Sequence, residues 1–169
     1  QQGLLERERL KHGRKSKTFE TKTFEIRRKG VSGGVEYAEI TEKVIAAALK
    51  VHSAIGPGVL ESVYQTCMSH ELRQAGVMAS SEVALPVLYE GLRLNSGYRI
   101  DLLVENALIV ELKCVDALLP IHKAQLLTYL RLANKPVGLL LNFNVVHMRE
   151  GIKRILNNKY KPVMAAGQK

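Results

Sequence analysis

Apolar positions along this chain recur first at helical spacing, then in strand-like runs, then at helical spacing again. Ile40, Val44, Ala48, Val51 and Ile55 predict a helix over 38–54, with Thr41 as a candidate cap near its start. Gly56-Pro57-Gly58 stops it. Leu60, Val63, Tyr64, Cys67, Met68 and Leu72 predict a second helix over 59–75, with Gly76 just past its end. Residues 83–89 read as one strand, with Pro86 marking an edge or a bulge. A turn at Glu90-Gly91 and a short return over 92–94 follow. After the stretch 98–115, Pro120 opens a helix that runs to Ala133, and Asn134-Lys135-Pro136 ends it. Residues 137–143 are a continuous apolar run, as in a buried strand. Strand 108–115, helix 120–133 and strand 137–143 then form one right-handed crossover. Residues 151–156 fit strand or helix. The class is α/β: a mixed sheet, antiparallel and then parallel, flanked by helices.

The stretch 98–115, YRIDLLVENALIVELKCV, predicts a hairpin turning at Glu105-Asn106-Ala107. Asp101, Glu111 and Lys113 interrupt its apolar runs. Side chains alternate along a strand, so Glu111 and Lys113 share a face with Ile109 and Val115, opposite Leu108, Val110, Leu112 and Cys114. Both faces are largely apolar, which marks a central strand covered on both sides. In the preceding strand Leu103 shares a face with Asp101, and Ile100, Leu102 and Val104 take the other. A turn centred on Asn106 pairs Asp101 with Glu111, at a Cβ separation of roughly 4.5–5.5 Å. A solvated salt bridge on a hairpin would also give this pattern. The apolar surroundings argue for a shared ion, since an ionised group there costs several kcal/mol unless it is paired or metal-bound. Hard carboxylate oxygens suit Mg²⁺ or Mn²⁺, and Lys113 sets an ammonium beside them.

Charge divides the 169 residues unevenly. Residues 1–34 hold ten Lys/Arg against four Asp/Glu, and the remainder 15 against 12, for a net +9. Segment 1–34 lacks apolar periodicity apart from a short strand-like piece at 18–26, and is expected to be a flexible basic arm. Such an arm is consistent with nucleic acid as a partner and equally with a solubilising tail. The folded domain is placed at 35–161 and a loose tail at 162–169. The sequence starts at Gln1 and reads as processed or as a piece of a longer chain. It shows no signal-peptide core, and Glu6, Glu8, Glu20 and Glu25 argue against a mitochondrial presequence. No apolar run approaches the ~20 residues that span a bilayer, so no membrane partner is expected. Cys67 and Cys114 lack metal-ligand spacing and are expected to be reduced thiols in a cytoplasmic protein. The five histidines show no zinc spacing.

Glu61 lies over Tyr64 and Met68, at the border of its helix's apolar face, where it either reaches for water or aims at a partner. Gln125 and Tyr129 form an i, i+4 pair. Taken in order, Glu61 on a helix, Arg99-Ile100-Asp101 on a strand, Glu111-Leu112-Lys113 on the next and Gln125-Tyr129 on a helix, the chain resembles the PD-(D/E)XK nuclease superfamily. Gly58, Glu61 and Tyr64 are similar to the signature of the GxxExxY family, and the likeness runs from Ile55 to Leu156. It implies a restriction-endonuclease-like core in the order αα-βββ-α-β. It implies metal binding by Asp101, Glu111, Glu61 and the Leu112 carbonyl, and catalysis by Lys113. It also implies that Gln125 and Tyr129 are the QxxxY pair of the RecB-like branch. One departure is Ile100, where the superfamily's name has proline. The function implied is a Mg²⁺- or Mn²⁺-dependent nuclease acting on nucleic acid, with DNA expected. The alternative is a catalytically silent nuclease-like domain that binds nucleic acid or a protein. Self-association is left open.

Overall fold

A computed structural model describes residues 34–95 and 97–162. The basic arm and the strand expected at 18–26 lie outside these residues, as does the tail from 163 onward.

The first helix, α1 (Gly34–Ile55), begins before the apolar pattern does. Thr41 is therefore inside it and is not a cap: its hydroxyl donates to the Tyr37 carbonyl at 2.6 Å. Helix α2 (Glu61–Gln74) begins two residues later than predicted, which puts Glu61 in its first turn. It ends in a Schellman arrangement, with Val77 N–H on the Leu72 carbonyl at 2.9 Å and Gly76 at φ 69°.

Pro86 does more than bulge a strand. It separates β1 (Ala79–Ala84) from β2 (Val87–Tyr89), and the two lie in different sheets. β2 pairs only with β3 (Leu92–Leu94), across the turn at Glu90-Gly91. The main sheet contains β1, β4 (Arg99–Val104), β5 (Leu108–Lys113), β6 (Val137–Asn142) and β7 (Ile152–Leu156), in the order β1-β4-β5-β6-β7. β5 and β6 are parallel, joined through α3 (Pro120–Leu132), and every other pairing is antiparallel. The last element is a strand, β7, entered by a 3-10 turn at Met148–Gly151. The chain stays attached past β7: Lys161 N–H donates to the Asn134 side chain, whose amide donates back to the Lys161 carbonyl.

Two apolar layers sandwich the sheet. Leu102, Val104, Leu108, Val110, Leu112, Leu139 and Leu141 pack with α1 and α2, and Ile109 and Leu140 pack under α3 with Leu126, Tyr129 and Leu130. This is the doubly covered β5 that its sequence predicts. Gly138 lets α3 approach closely, since a Cβ there would stand 2.8 Å from Leu126 Cδ1.

The β4–β5 register also holds, as Leu102↔Val110, Leu103↔Ile109 and Val104↔Leu108. The ladder stops one pair short of Asp101 and Glu111. On the other side, β1 pairs Ser81 with Leu102 and Val83 with Ile100, skipping Glu82 and Asp101. Glu82 there has φ 53°, in the left-handed region. Asp101 is therefore outside both ladders, and the pleat is interrupted at it. In consequence Ile100 packs with the α3-side cluster, while Leu102 and Val104 stay on the α1–α2 side, contrary to strict alternation. Among the described residues, no helix is long and apolar enough to cross a membrane.

Candidate active site

The strands part at Asp101, and its side chain fills in for the missing backbone pairing. Asp101 Oδ2 accepts the Leu112 N–H at 2.7 Å, and the Asp101 carbonyl accepts Gln65 Nε2 at 2.9 Å. The same Gln65 amide donates to Glu82 Oε1 at 2.7 Å. Asp101 is thus held at the gap, its carboxylate by β5 and its backbone carbonyl by α2.

Glu111 is 2% exposed. Its Oε1 accepts Lys113 Nζ at 2.6 Å, and its Oε2 is buried with no donor among the described residues, close enough to the Asp101 carboxyl to share a proton with it. Burial, and next the charge of Asp101, push the Glu111 carboxyl up from 4.5 to about 7, against the opposing pull of Lys113. Asp101 is also raised, by burial, with the Leu112 amide and Lys113 opposing. Burial would lower the Lys113 ammonium, but the bond to Glu111 and the charges of Glu111, Glu61 and Asp101 hold it above the ordinary lysine value. Lys113 is therefore a cation in this setting.

Glu61 reaches the group from the opposite layer. The GxxExxY spacing has a local physical meaning here. Gly58 takes φ 92°, which a side chain would resist. Tyr64 stacks on Phe143 with ring centroids 4.3 Å apart, and its hydroxyl donates to the Gly56 carbonyl at 2.5 Å. The loop is thereby tied down just before Glu61. The Glu61 carboxyl is raised by burial, and it interacts with Lys113, Asp101 and the backbone amide of Cys114. Tyr129 closes the α3 side. Its hydroxyl accepts Gln125 Nε2 at 2.9 Å, and its pKa is raised by burial and by the charges of Glu111 and Asp101.

Glu61, Asp101, Glu111, Lys113 and Tyr129 are thus one electrostatically coupled group, and Gln125 joins it through Tyr129. Leu112 lies between Glu111 and Lys113. Cys114 is the free thiol against the core that its pattern predicts, pushed up to about 11 by burial and the Glu61 carboxylate. Sequence reasoning missed two residues. Gln65 is one helical turn beyond Glu61, and that spacing was its only signal. Asn142 is a buried polar residue at the end of the apolar run 137–143. Its side chain accepts the Val115 N–H at 3.1 Å and donates to the Val115 carbonyl at 2.7 Å. It acts as a short extra strand, anchoring the chain just after Lys113. Asn142→Ala leaves that N–H and carbonyl without partners, and is expected to cost about 2 kcal/mol of stability in urea unfolding.

Among the described residues, no three His, Cys, Asp or Glu side chains stand together as ready metal ligands. Lys113 occupies Glu111 Oε1, and the Leu112 amide occupies Asp101 Oδ2. Two carboxylates with a backbone carbonyl and waters are nonetheless enough for Mg²⁺, and the unpartnered Glu111 oxygen beside Asp101 fits such an ion. A divalent ion must displace the proton from Glu111. Its affinity is therefore expected to fall up to about tenfold per pH unit below about 7 and to level off above. Mn²⁺ titrations from pH 5.5 to 8.5 check this.

The chain belongs to the PD-(D/E)XK nuclease superfamily: the family model matches residues 38–155. No curated protein and no solved structure matches it.

Proposed function

We propose that this chain is a metal-dependent nuclease that hydrolyses phosphodiester bonds of DNA, with Mg²⁺ or Mn²⁺ held by Asp101, Glu111 and the Leu112 carbonyl. The observation that best supports this is Glu111 Oε2, a buried carboxylate oxygen with no donor, set beside a second carboxylate. Two carboxyl groups facing each other in a buried site need a proton or a cation between them, and Lys113 neutralises only one of the two. When bound, the ion would acidify a water and polarise a phosphoryl oxygen.

The chain's own residues supply the rest. Lys113, kept charged by its three acidic neighbours, is placed to stabilise negative charge building on the phosphoryl oxygens. Glu61, on the opposite rim, orients water by accepting its hydrogen bonds. Tyr129 accepts from Gln125, so its own hydroxyl proton is left to donate to a phosphate or a water. Within the superfamily, Gly58, Glu61 and Tyr64 support placement in the GxxExxY family, and Gln125 and Tyr129 support the RecB-like branch. The free thiols Cys67 and Cys114 suit a reducing cytoplasm.

One observation favours the second reading, a nuclease-like domain that binds without cutting: the absence of a preassembled three-ligand cluster among the described residues. A panel of single- and double-stranded DNA and RNA with Mg²⁺, Mn²⁺, Ca²⁺ or EDTA separates the two. Cleavage with Mg²⁺ or Mn²⁺, lost in EDTA and in Glu111→Ala, is expected. Undiminished binding in EDTA with no product in any metal would favour the silent domain.

A further inference from the structure

Asp101 is where β4 leaves its neighbours, and two residues outside the catalytic group meet there. The β1–β4 register sets Glu82 opposite Asp101, between the pairs Ser81↔Leu102 and Val83↔Ile100. Regular pairing would face two carboxylates across neighbouring strands, where like charges repel. The chain instead turns Glu82 to φ 53°, a conformation that a side chain resists. Gln65 enters the gap from α2. A side-chain amide nitrogen carries two hydrogens, and Gln65 Nε2 has two acceptors: Glu82 Oε1 at 2.7 Å and the Asp101 carbonyl at 2.9 Å. One group thus joins the strained residue on β1 to the displaced residue on β4.

The place of Gln65 on α2 gives these bonds a consequence. It lies four residues after Glu61, on the same helical face. Glu61 and Asp101 come from a helix and a strand, and Gln65 fixes one relative to the other. With its carbonyl held on the α2 side, Asp101 extends its carboxylate the other way, to the Leu112 N–H at 2.7 Å and beside Glu111. Docking of α2 has other supports. Tyr64, Met68 and Leu72 are fully buried, and Ser69 Oγ lies 3.0 Å from Ser81 Oγ one turn further along. Glu82 is half-exposed, with its second oxygen 4.0 Å from Arg99 Nη1, so its charge counts for little and its acceptor oxygen is what Gln65 uses.

We propose that Gln65, with Glu82 as its second acceptor, is a positioning residue: it sets Asp101 against Glu61 and turns the Asp101 carboxylate across the gap toward Glu111. Its bearing on catalysis rests on the nuclease reading; the placement of Asp101 does not.

The test compares full-length wild type with Gln65→Leu, Glu82→Ala and Glu82→Gln. Ser69→Ala, which breaks an α2–β1 bond away from Asp101, is the control. In EDTA, amide hydrogen exchange at Leu112 reports the hold of the Asp101 carboxylate. It is expected to speed up at least about tenfold in Gln65→Leu and to keep its wild-type rate in Ser69→Ala. Mn²⁺ affinity by calorimetry, and kcat with Mn²⁺, are expected to fall about 10–100-fold in Gln65→Leu. KM should change little, and the melting temperature should match that of Ser69→Ala. Glu82→Gln should recover most of what Glu82→Ala loses, since its side-chain carbonyl still accepts from Gln65. Wild-type Leu112 exchange and wild-type Mn²⁺ affinity in Gln65→Leu overturn the proposal, and so do losses that Ser69→Ala reproduces. Glu82→Gln failing as badly as Glu82→Ala also contradicts it, because a charge and not an acceptor would then be at work. Faster Leu112 exchange in Gln65→Leu, with no cleavage by any of these proteins in any metal, would reject the nuclease reading and leave the positioning role standing.

Discussion

Glu111→Gln is expected to abolish cleavage and, at the same time, to stabilise the protein in EDTA. The catalytic loss should exceed about 10³-fold, because a neutral amide neither holds a divalent ion nor keeps the field that charges Lys113. The gain in stability follows from linkage. The Glu111 carboxyl sits at about 7 in the fold against an ordinary 4.5, owing to burial and then to Asp101. Between those values the native state binds more protons than the unfolded chain, so stability falls as pH rises from about 4.5 to about 7 and is flat above. The total is about 3 kcal/mol. Gln mimics the neutral acid and avoids that loss. Its melting temperature at pH 8 without metal should be roughly 5 °C or more above that of wild type, with the difference vanishing near pH 4.5. A variant that is both inactive and less stable at pH 8 would show that Glu111 is held by its bond to Lys113 and not poised for a cation.

Lys113→Met is the second large effect, with an expected loss of about 10²–10⁴-fold in kcat and little change in KM. The ammonium stabilises charge that exists only as the phosphodiester opens, so its removal should affect the transition state and not substrate binding. The variant also takes a positive charge from among three acids. The Glu111 carboxyl should then titrate above its wild-type position of about 7, because Lys113 opposes the upward push of burial and Asp101. The pH below which metal affinity falls should move up with it. A kcat loss without that movement would mean Lys113 acts away from Glu111, against their 2.6 Å contact.

Much of this geometry was legible from patterning. The turn at Asn106 sets the β4–β5 register, and with it the approach of Asp101 to Glu111. Apolar runs on both faces of β5 predict its burial between two helical layers. The GxxExxY spacing locates Glu61 on a helix start behind a glycine turn. What escaped is what side chains do in place of backbone. Nothing in the residue string shows that β4 leaves both ladders at Asp101, because the missing pairing is made up by the Asp101 carboxylate on Leu112 and by Gln65 on the Asp101 carbonyl. The same break explains why Ile100 changes layers. Pro86 in the run 83–89 predicts an edge or a bulge, and it divides two sheets; only the pairing partners of Val87–Tyr89 distinguish those outcomes. Asn142 was hidden because it ends an apolar run as any strand terminus could, and its two bonds to Val115 depend on the parallel register that sets it beside Lys113.

The central claim is that the two carboxylates at the gap between β4 and β5 share a divalent ion. Calorimetric titration of Mn²⁺ into the wild type and into Glu111→Gln and Asp101→Asn, at pH 8, tests it most directly. The wild type should bind, and each variant should lose at least about 100-fold in affinity. Equal Mn²⁺ affinity in all three proteins would contradict the claim.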